Sequence, residues 1–142
     1  MSKITAIVYE DIPAYRLGML KGAGNDPDLD SNKIYIKAAE LDTDPDFMVT
    51  KDLKEGDEVS INIKGDSIWR AELDKDTRPG TLVSVNGEGK IAWTNTRDHK
   101  RYIGYSIEGG KAGDVIRYVR KSGIISQALE GDLEGLVNDE KI

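Results

Sequence analysis

The stretch Glu55-Gly56-Asp57-Glu58-Val59-Ser60-Ile61-Asn62-Ile63-Lys64 opens on turn residues and closes on a strand pattern. Val59, Ile61 and Ile63 alternate strictly with polar residues. A period of two places them on one face of a strand, buried, and leaves the other face wet. The same turn and strand return as Ala112-Gly113-Asp114-Val115-Ile116, 57 residues later. At that offset Lys33-Ile34 falls on Lys90-Ile91, Lys64-Gly65 on Lys121-Ser122, and Ile68 on Ile125. Upstream, Tyr15-Arg16-Leu17-Gly18-Met19-Leu20 matches Gly80-Thr81-Leu82-Val83-Ser84-Val85 in pattern at an offset of 65. The chain therefore reads as two related β units, the first with eight extra residues before Lys33.

Those extra residues hold Gly24-Asn25-Asp26-Pro27-Asp28-Leu29-Asp30-Ser31-Asn32. Asp26, Asp28 and Asp30 match the first three ligand positions of a calcium loop. Ser31 stands where glycine is required, Lys37 where the bidentate glutamate is required, and no flanking helices are expected. The stretch reads as a polar hairpin tip stiffened by Pro27, and no metal site is assigned. Its counterpart is the tight Val85-Asn86-Gly87-Glu88-Gly89-Lys90, where Asn-Gly predicts a type I′ turn.

Strands are expected over 4–9, 16–21, 33–38, 58–63, 67–72, 82–85, 91–94, 102–107, 114–119 and 124–128, separated by Gly, Pro and Asp clusters. Only 47–53 and the C-terminal end approach a helical period. The fold class is all-β, a small β-sandwich or β-barrel of two related units with extended N- and C-terminal arms. The expected organisation is an N-terminal arm or edge strand over 1–13, a first unit over 14–77, a second over 78–128, and an acidic tail over 129–142. Residues 14–128 are expected to form one compact domain. The tail, with Leu129, Leu133, Leu136 and Val137, is either partly ordered or an arm that docks on a neighbouring subunit. The first ten residues pose the same choice, between an edge strand and an arm added to another protein's sheet.

Acidic residues outnumber basic ones by 26 to 20, giving a formal net charge of −6, which repels a nucleic-acid backbone. The basic clusters at 97–101 and 117–121 read as solvated faces or protein-contact rims. Cysteine is absent, which removes disulfides, thiolate metal sites and cysteine nucleophiles. No long apolar run suggests a signal peptide or a membrane span, so a soluble cytoplasmic product is expected.

Catalytic constellations are also lacking. His99 is the single histidine and sits in the charged stretch 95–101, so no triad or histidine zinc site can be built. Asp57 and Asp114 follow glycine and read as turn formers. The segment 104–113 lacks the spacing of a phosphate loop. A two-carboxylate hydrolase is not excluded by counting acids, but nearly all of them fall in expected turns.

The second unit, written out, is Arg78-Pro79-Gly80-Thr81-Leu82-Val83, then Gly89-Lys90-Ile91, then Ile103-Gly104-Tyr105-Ser106-Ile107-Glu108-Gly109-Gly110-Lys111-Ala112-Gly113-Asp114-Val115-Ile116-Arg117-Tyr118-Val119, with a further strand after Gly123. This order of turns and strands resembles the capsid decoration proteins (cement, or head-fibre base) of tailed bacteriophages. The resemblance covers 78–126 directly and 14–73 through the repeat. It implies a non-enzymatic β domain on the outer surface of a virion capsid, made in the host cytoplasm. It also implies binding to the major capsid protein, assembly as a trimer or dimer, and reinforcement of the shell without a cofactor. Nucleic acid and membrane are not expected partners. Ile4, Ile7 and Tyr9 on the N-terminal stretch, with Tyr15, Trp93 and Tyr105, are the candidate partner contacts, because aromatics anchor interfaces. The rival reading is a small β-barrel module for a peptide or glycan, with Trp69, Trp93 and Tyr102 as a stacking platform.

Overall fold

The computed structural model describes residues 2–63, 65–94 and 101–124. Ten strands are present among them: β1 (Ser2–Val8), β2 (Leu17–Lys21), β3 (Tyr35–Ala38), β4 (Phe47–Met48), β5 (Glu58–Ile63), β6 (Ile68–Glu72), β7 (Leu82–Val85), β8 (Ile91–Trp93), β9 (Arg101–Ser106) and β10 (Val115–Ile124). They form two five-stranded sheets, in the orders β4-β2-β3-β1-β5 and β6-β10-β9-β7-β8. In the first, β1 runs parallel to β3 and antiparallel to β5. Its end strands β4 and β5 approach each other, so this sheet curls towards a barrel. The second sheet is antiparallel throughout.

The repeat is written in backbone hydrogen bonds at the expected offsets. Gly56 N donates to Val8 O at 2.8 Å, and Gly113 N to Leu73 O at 2.8 Å. Tyr15 N donates to Val49 O at 2.7 Å, and Gly80 N to Ser106 O at 2.6 Å. Gly56 (φ 88°) and Gly113 (φ 92°) sit at the left-handed position of equivalent turns, each closed by the following aspartate's N–H onto Lys54 O or Lys111 O. Tyr15 (φ 62°) is the counterpart of Gly80 (φ 77°), so a tyrosine adopts a conformation that glycine takes without strain.

Two apolar cores follow. One gathers Ala6, Val8, Ile12, Ile36, Phe47, Val49, Leu53 and Ile61 inside the first sheet. The other gathers Trp69, Ala71, Leu73, Val83, Val85, Ile91, Ile103, Ile116 and Tyr118, and also takes Leu17 and Ala39 from the first unit. The units are joined through polar contacts as well. Leu17 N donates to Gly89 O and Gly89 N to Ala39 O, both at 2.9 Å. Glu72 accepts from Arg16 Nε at 3.3 Å and pairs with Lys90 Nζ at 3.5 Å.

Several expectations are corrected. Ser2–Val8 is built into the first sheet, paired with β5 over Ser2 to Ile7 and with β3 at Ile7 and Val8, so it is not a free arm; only its last residues have a strand on each side. Ile61 and its neighbours on β5 need that partner to complete the core. Residues 47–53 hold a short strand and an extended continuation, because Phe47 and Met48 pair with Gly18 and Leu17. The strand expected to end at 119 continues to Ile124, with a register shift between Arg120 and Gly123. The Asn86-Gly87 turn is not a two-residue type I′ turn. Asn86 N closes onto Lys90 O at 2.8 Å, and the three residues between, Gly87, Glu88 and Gly89, all have positive φ. The stretch 125–128, the tail and His99 lie outside the described residues.

Candidate interaction surface

The second sheet has an inner and an outer face, fixed by alternation. On β6, Trp69 and Ala71 are buried while Ile68 and Arg70 are exposed; on β10, Ile116 and Tyr118 are buried while Val115 and Arg117 are exposed. The inner row is tight. The rings of Trp69 and Tyr118 meet edge to face, 6.5 Å between centroids, and the Arg120 guanidinium caps Trp69 at 4.1 Å.

The outer row is apolar, with Ile68 exposed and Val119, Tyr105 and Leu82 half-buried. Register pairs Ile68 with Val119, Val119 with Tyr105, and Tyr105 with Leu82, so four adjacent strands each put one apolar side chain on one line. Ile68 is 45% exposed. At the far end Leu82 and Tyr105 line a cleft with Trp93, 43% exposed, and with Arg78 and Thr81. Val115 and Ile107 add exposed apolar surface on or beside the same sheet. Among the described residues, four of the six large exposed apolar side chains, Ile68, Trp93, Ile107 and Val115, lie on or at the edge of this sheet, and the other two, Ile34 and Leu41, belong to the first unit.

Charge around this row is basic. Arg70 and Arg117 are register partners, and Lys121 Nζ lies 5.9 Å from the Tyr105 ring centroid. Glu108 faces them: its carboxylate accepts the Arg117 backbone N–H at 2.8 Å and the Arg117 Nε at 3.3 Å. These bonds, backbone first, hold the Glu108 carboxyl below its usual range. Glu72, further along β6, is matched by Arg16 and Lys90. Arg70, Arg78, Arg117 and Lys121 against Glu108 and Asp76, four cations and two carboxylates, leave a local charge of +2 on a chain of net charge −6.

The six candidate contact residues separate. Ile4 is half-buried and packs against the first core. Ile7 is half-buried within β1, and Tyr9 lies under the Lys21 ammonium at 4.8 Å. Tyr15 sits at the junction of the units, where its carbonyl accepts from Glu72 N at 2.8 Å. Only Trp93 and Tyr105 share a surface, the cleft above. Ile68, Val119 and Leu82 complete that surface; the strand pattern carried the signal, but only cross-strand register aligns them. The stacking platform of Trp69, Trp93 and Tyr102 is not assembled. Trp69 is 3% exposed, packed in the core beneath β6, whereas Trp93 is exposed.

The aspartate-rich tip is a run of turns. Asp26 Oδ1 accepts from Asp28 N and Asp30 Oδ1 from Asn32 N, each at 2.9 Å, and Asp30 N donates to the Tyr35 hydroxyl at 2.8 Å. Among the described residues no group of three or more His, Cys, Asp or Glu is placed to hold a metal ion.

Comparison with known proteins agrees with this geometry. The N base of the head fiber gp8.5 of bacteriophage phi29 has the same fold, with a TM-score of 0.72 at 21% identity, over 89% of this chain and 98% of that one. No curated protein matches the sequence. A family model described as head fiber protein matches residues 1–137, nearly the whole chain. The chain therefore belongs to the head fiber protein family, structural components associated with the phage head.

Proposed function

We propose that the chain is a non-catalytic capsid decoration protein. It binds the outer surface of the phage head and stabilises the lattice of the major capsid protein, as a homo-oligomer, trimer or dimer. The observation that carries this reading is the apolar row on the second sheet of a head fiber family member. A patch of that kind on an otherwise polar chain marks a protein contact. Trp93 and Tyr105 are its aromatic anchors. Many copies on one shell make a modest contact per copy effective against rupture, because the shell fails only when many contacts fail together.

The test is co-sedimentation with phage heads that lack the chain, followed by thermal rupture of decorated and bare heads. Saturation at a fixed copy number, with a higher rupture temperature for decorated heads, is the expected outcome. Chain left in the supernatant at saturating concentration would sink the proposal. Binding without a change in rupture temperature would keep the attachment and remove the stabilising role.

A further inference from the structure

We infer that the outer face of the second sheet is the surface that meets the head, and that its partner there is a protein surface with an apolar centre and a rim of carboxylates. This rests on the capsid-binding reading above and adds the orientation of the chain and the chemistry of its partner.

The apolar part of the argument is geometric. Ile68, Val119, Tyr105 and Leu82 form one line across β6, β10, β9 and β7, and at its β7 end the exposed Trp93, register partner of the inner-face Val83 at the sheet edge, borders the same cleft. The line spans four adjacent strands, so a partner can lie along it without disturbing the core beneath. The inner face gives rigidity, since Trp69, Ile116 and Tyr118 are fully packed below. A rigid platform loses little conformational entropy on binding.

The partner's chemistry follows from charge. Arg70, Arg78, Arg117 and Lys121 flank the line, and Glu108 and Asp76 are the carboxylates beside them. A second copy presenting the same face would set these cations against their own images, which is repulsive. A carboxylate-rimmed surface would instead attract them and would speed encounter at low salt. The net acidity of the chain would oppose docking on that same surface, so this basic face also favours the orientation.

The experiment compares the full chain with Ile68→Glu, Arg70→Glu and Leu41→Glu in head co-sedimentation at several salt concentrations. Ile68 and Arg70 are exposed, and Leu41 is 58% exposed on the first unit, so unchanged circular dichroism and melting temperature are expected for all three. Ile68→Glu and Arg70→Glu are each expected to raise the half-saturating concentration about tenfold or more, and Leu41→Glu less than about twofold. Binding of the unmodified chain is expected to weaken as salt rises. Failure of the unmodified chain to bind overturns the capsid reading and this inference with it. Unmodified binding with equal affinity for Ile68→Glu and Arg70→Glu overturns this inference alone. An oligomer of the free chain that Ile68→Glu converts to monomer overturns it in favour of a second copy as occupant.

Discussion

Gly18 and Phe47 face each other across β2 and β4, and the Phe47 ring fills the space that a side chain on Gly18 would need. The equivalent pair in the second sheet is Val83 and Gly104, so the small and large partners have changed places. One cross-strand site is thus filled to similar density by opposite choices. A Cβ on Gly18 would lie 2.1 Å from Phe47 Cζ, so Gly18→Ala forces the ring out of a buried position. The expected loss is about 1–3 kcal/mol in urea unfolding. Gly22→Ala, with open space around it, should change stability far less. Gly18→Val combined with Phe47→Gly copies the second sheet's pair and should recover part of the loss of Gly18→Val alone; strict additivity would refute the shared-site account.

Such swaps explain how much the sequence could reveal. Turns and alternation exposed the repeat, since Gly56-Asp57 and Gly113-Asp114 keep their chemistry while core residues drift. The hairpin at Asn86-Gly87 was legible as a turn, but its three positive-φ residues were not. Lys90 N closes onto Gly87 O at 3.1 Å, which puts Glu88 and Gly89 at the centre of the turn in place of Asn86 and Gly87, and Gly89 also bonds across the unit junction. The short strand at Phe47 gave no alternation to read, being two residues long and specified by Gly18 opposite. Trp69 and Trp93 look alike in sequence, yet one lies in the core and one on the surface. The outer row was invisible for the same reason, because register between distant strands is not encoded locally.

Gly89 lies at the junction of the units, hydrogen-bonded to Leu17 and Ala39. A Cβ there would lie 2.4 Å from Leu17 O, and φ is +75°. Gly89→Ala therefore adds a backbone clash to a left-handed penalty of about 1–2 kcal/mol. The expected melting temperature falls by several degrees, by more than for Gly87→Ala, whose φ is also positive but whose surroundings are open. Equal effects at the two glycines would show that the junction yields without cost.

Asp11 and Asp76 are equivalent loop residues with one task. Asp11 Oδ1 accepts from Glu55 N at 2.8 Å, and Asp76 Oδ1 from Ala112 N at 2.9 Å, at the same two offsets as the rest of the repeat. Each ties the loop before a strand pair to the turn that starts β5 or β10. Asp11→Ala and Asp76→Ala should each cost about 0.5–1.5 kcal/mol. Amide exchange should accelerate at Glu55 in the first variant and at Ala112 in the second. Exchange that rises at neither amide would mean that the turns hold without their aspartates.

Tyr118 sets the alkaline limit of the second core. It is 1% exposed beneath β9 and β6, and burial pushes its phenol well above the usual tyrosine value of 10.0. The folded state therefore favours the neutral phenol, while the unfolded chain ionises near its ordinary value. This contribution is complete below pH 10 and is lost as pH rises beyond it, by about 1.4 kcal/mol per pH unit for one proton. Tyr118→Phe removes the ionisation and keeps the ring against Trp69. Urea unfolding of both chains between pH 9 and about pH 11.5 should give curves that run parallel below pH 10 and diverge above it, the variant losing less. Curves that stay parallel throughout would show that Tyr118 ionises in the folded protein as readily as in the unfolded one.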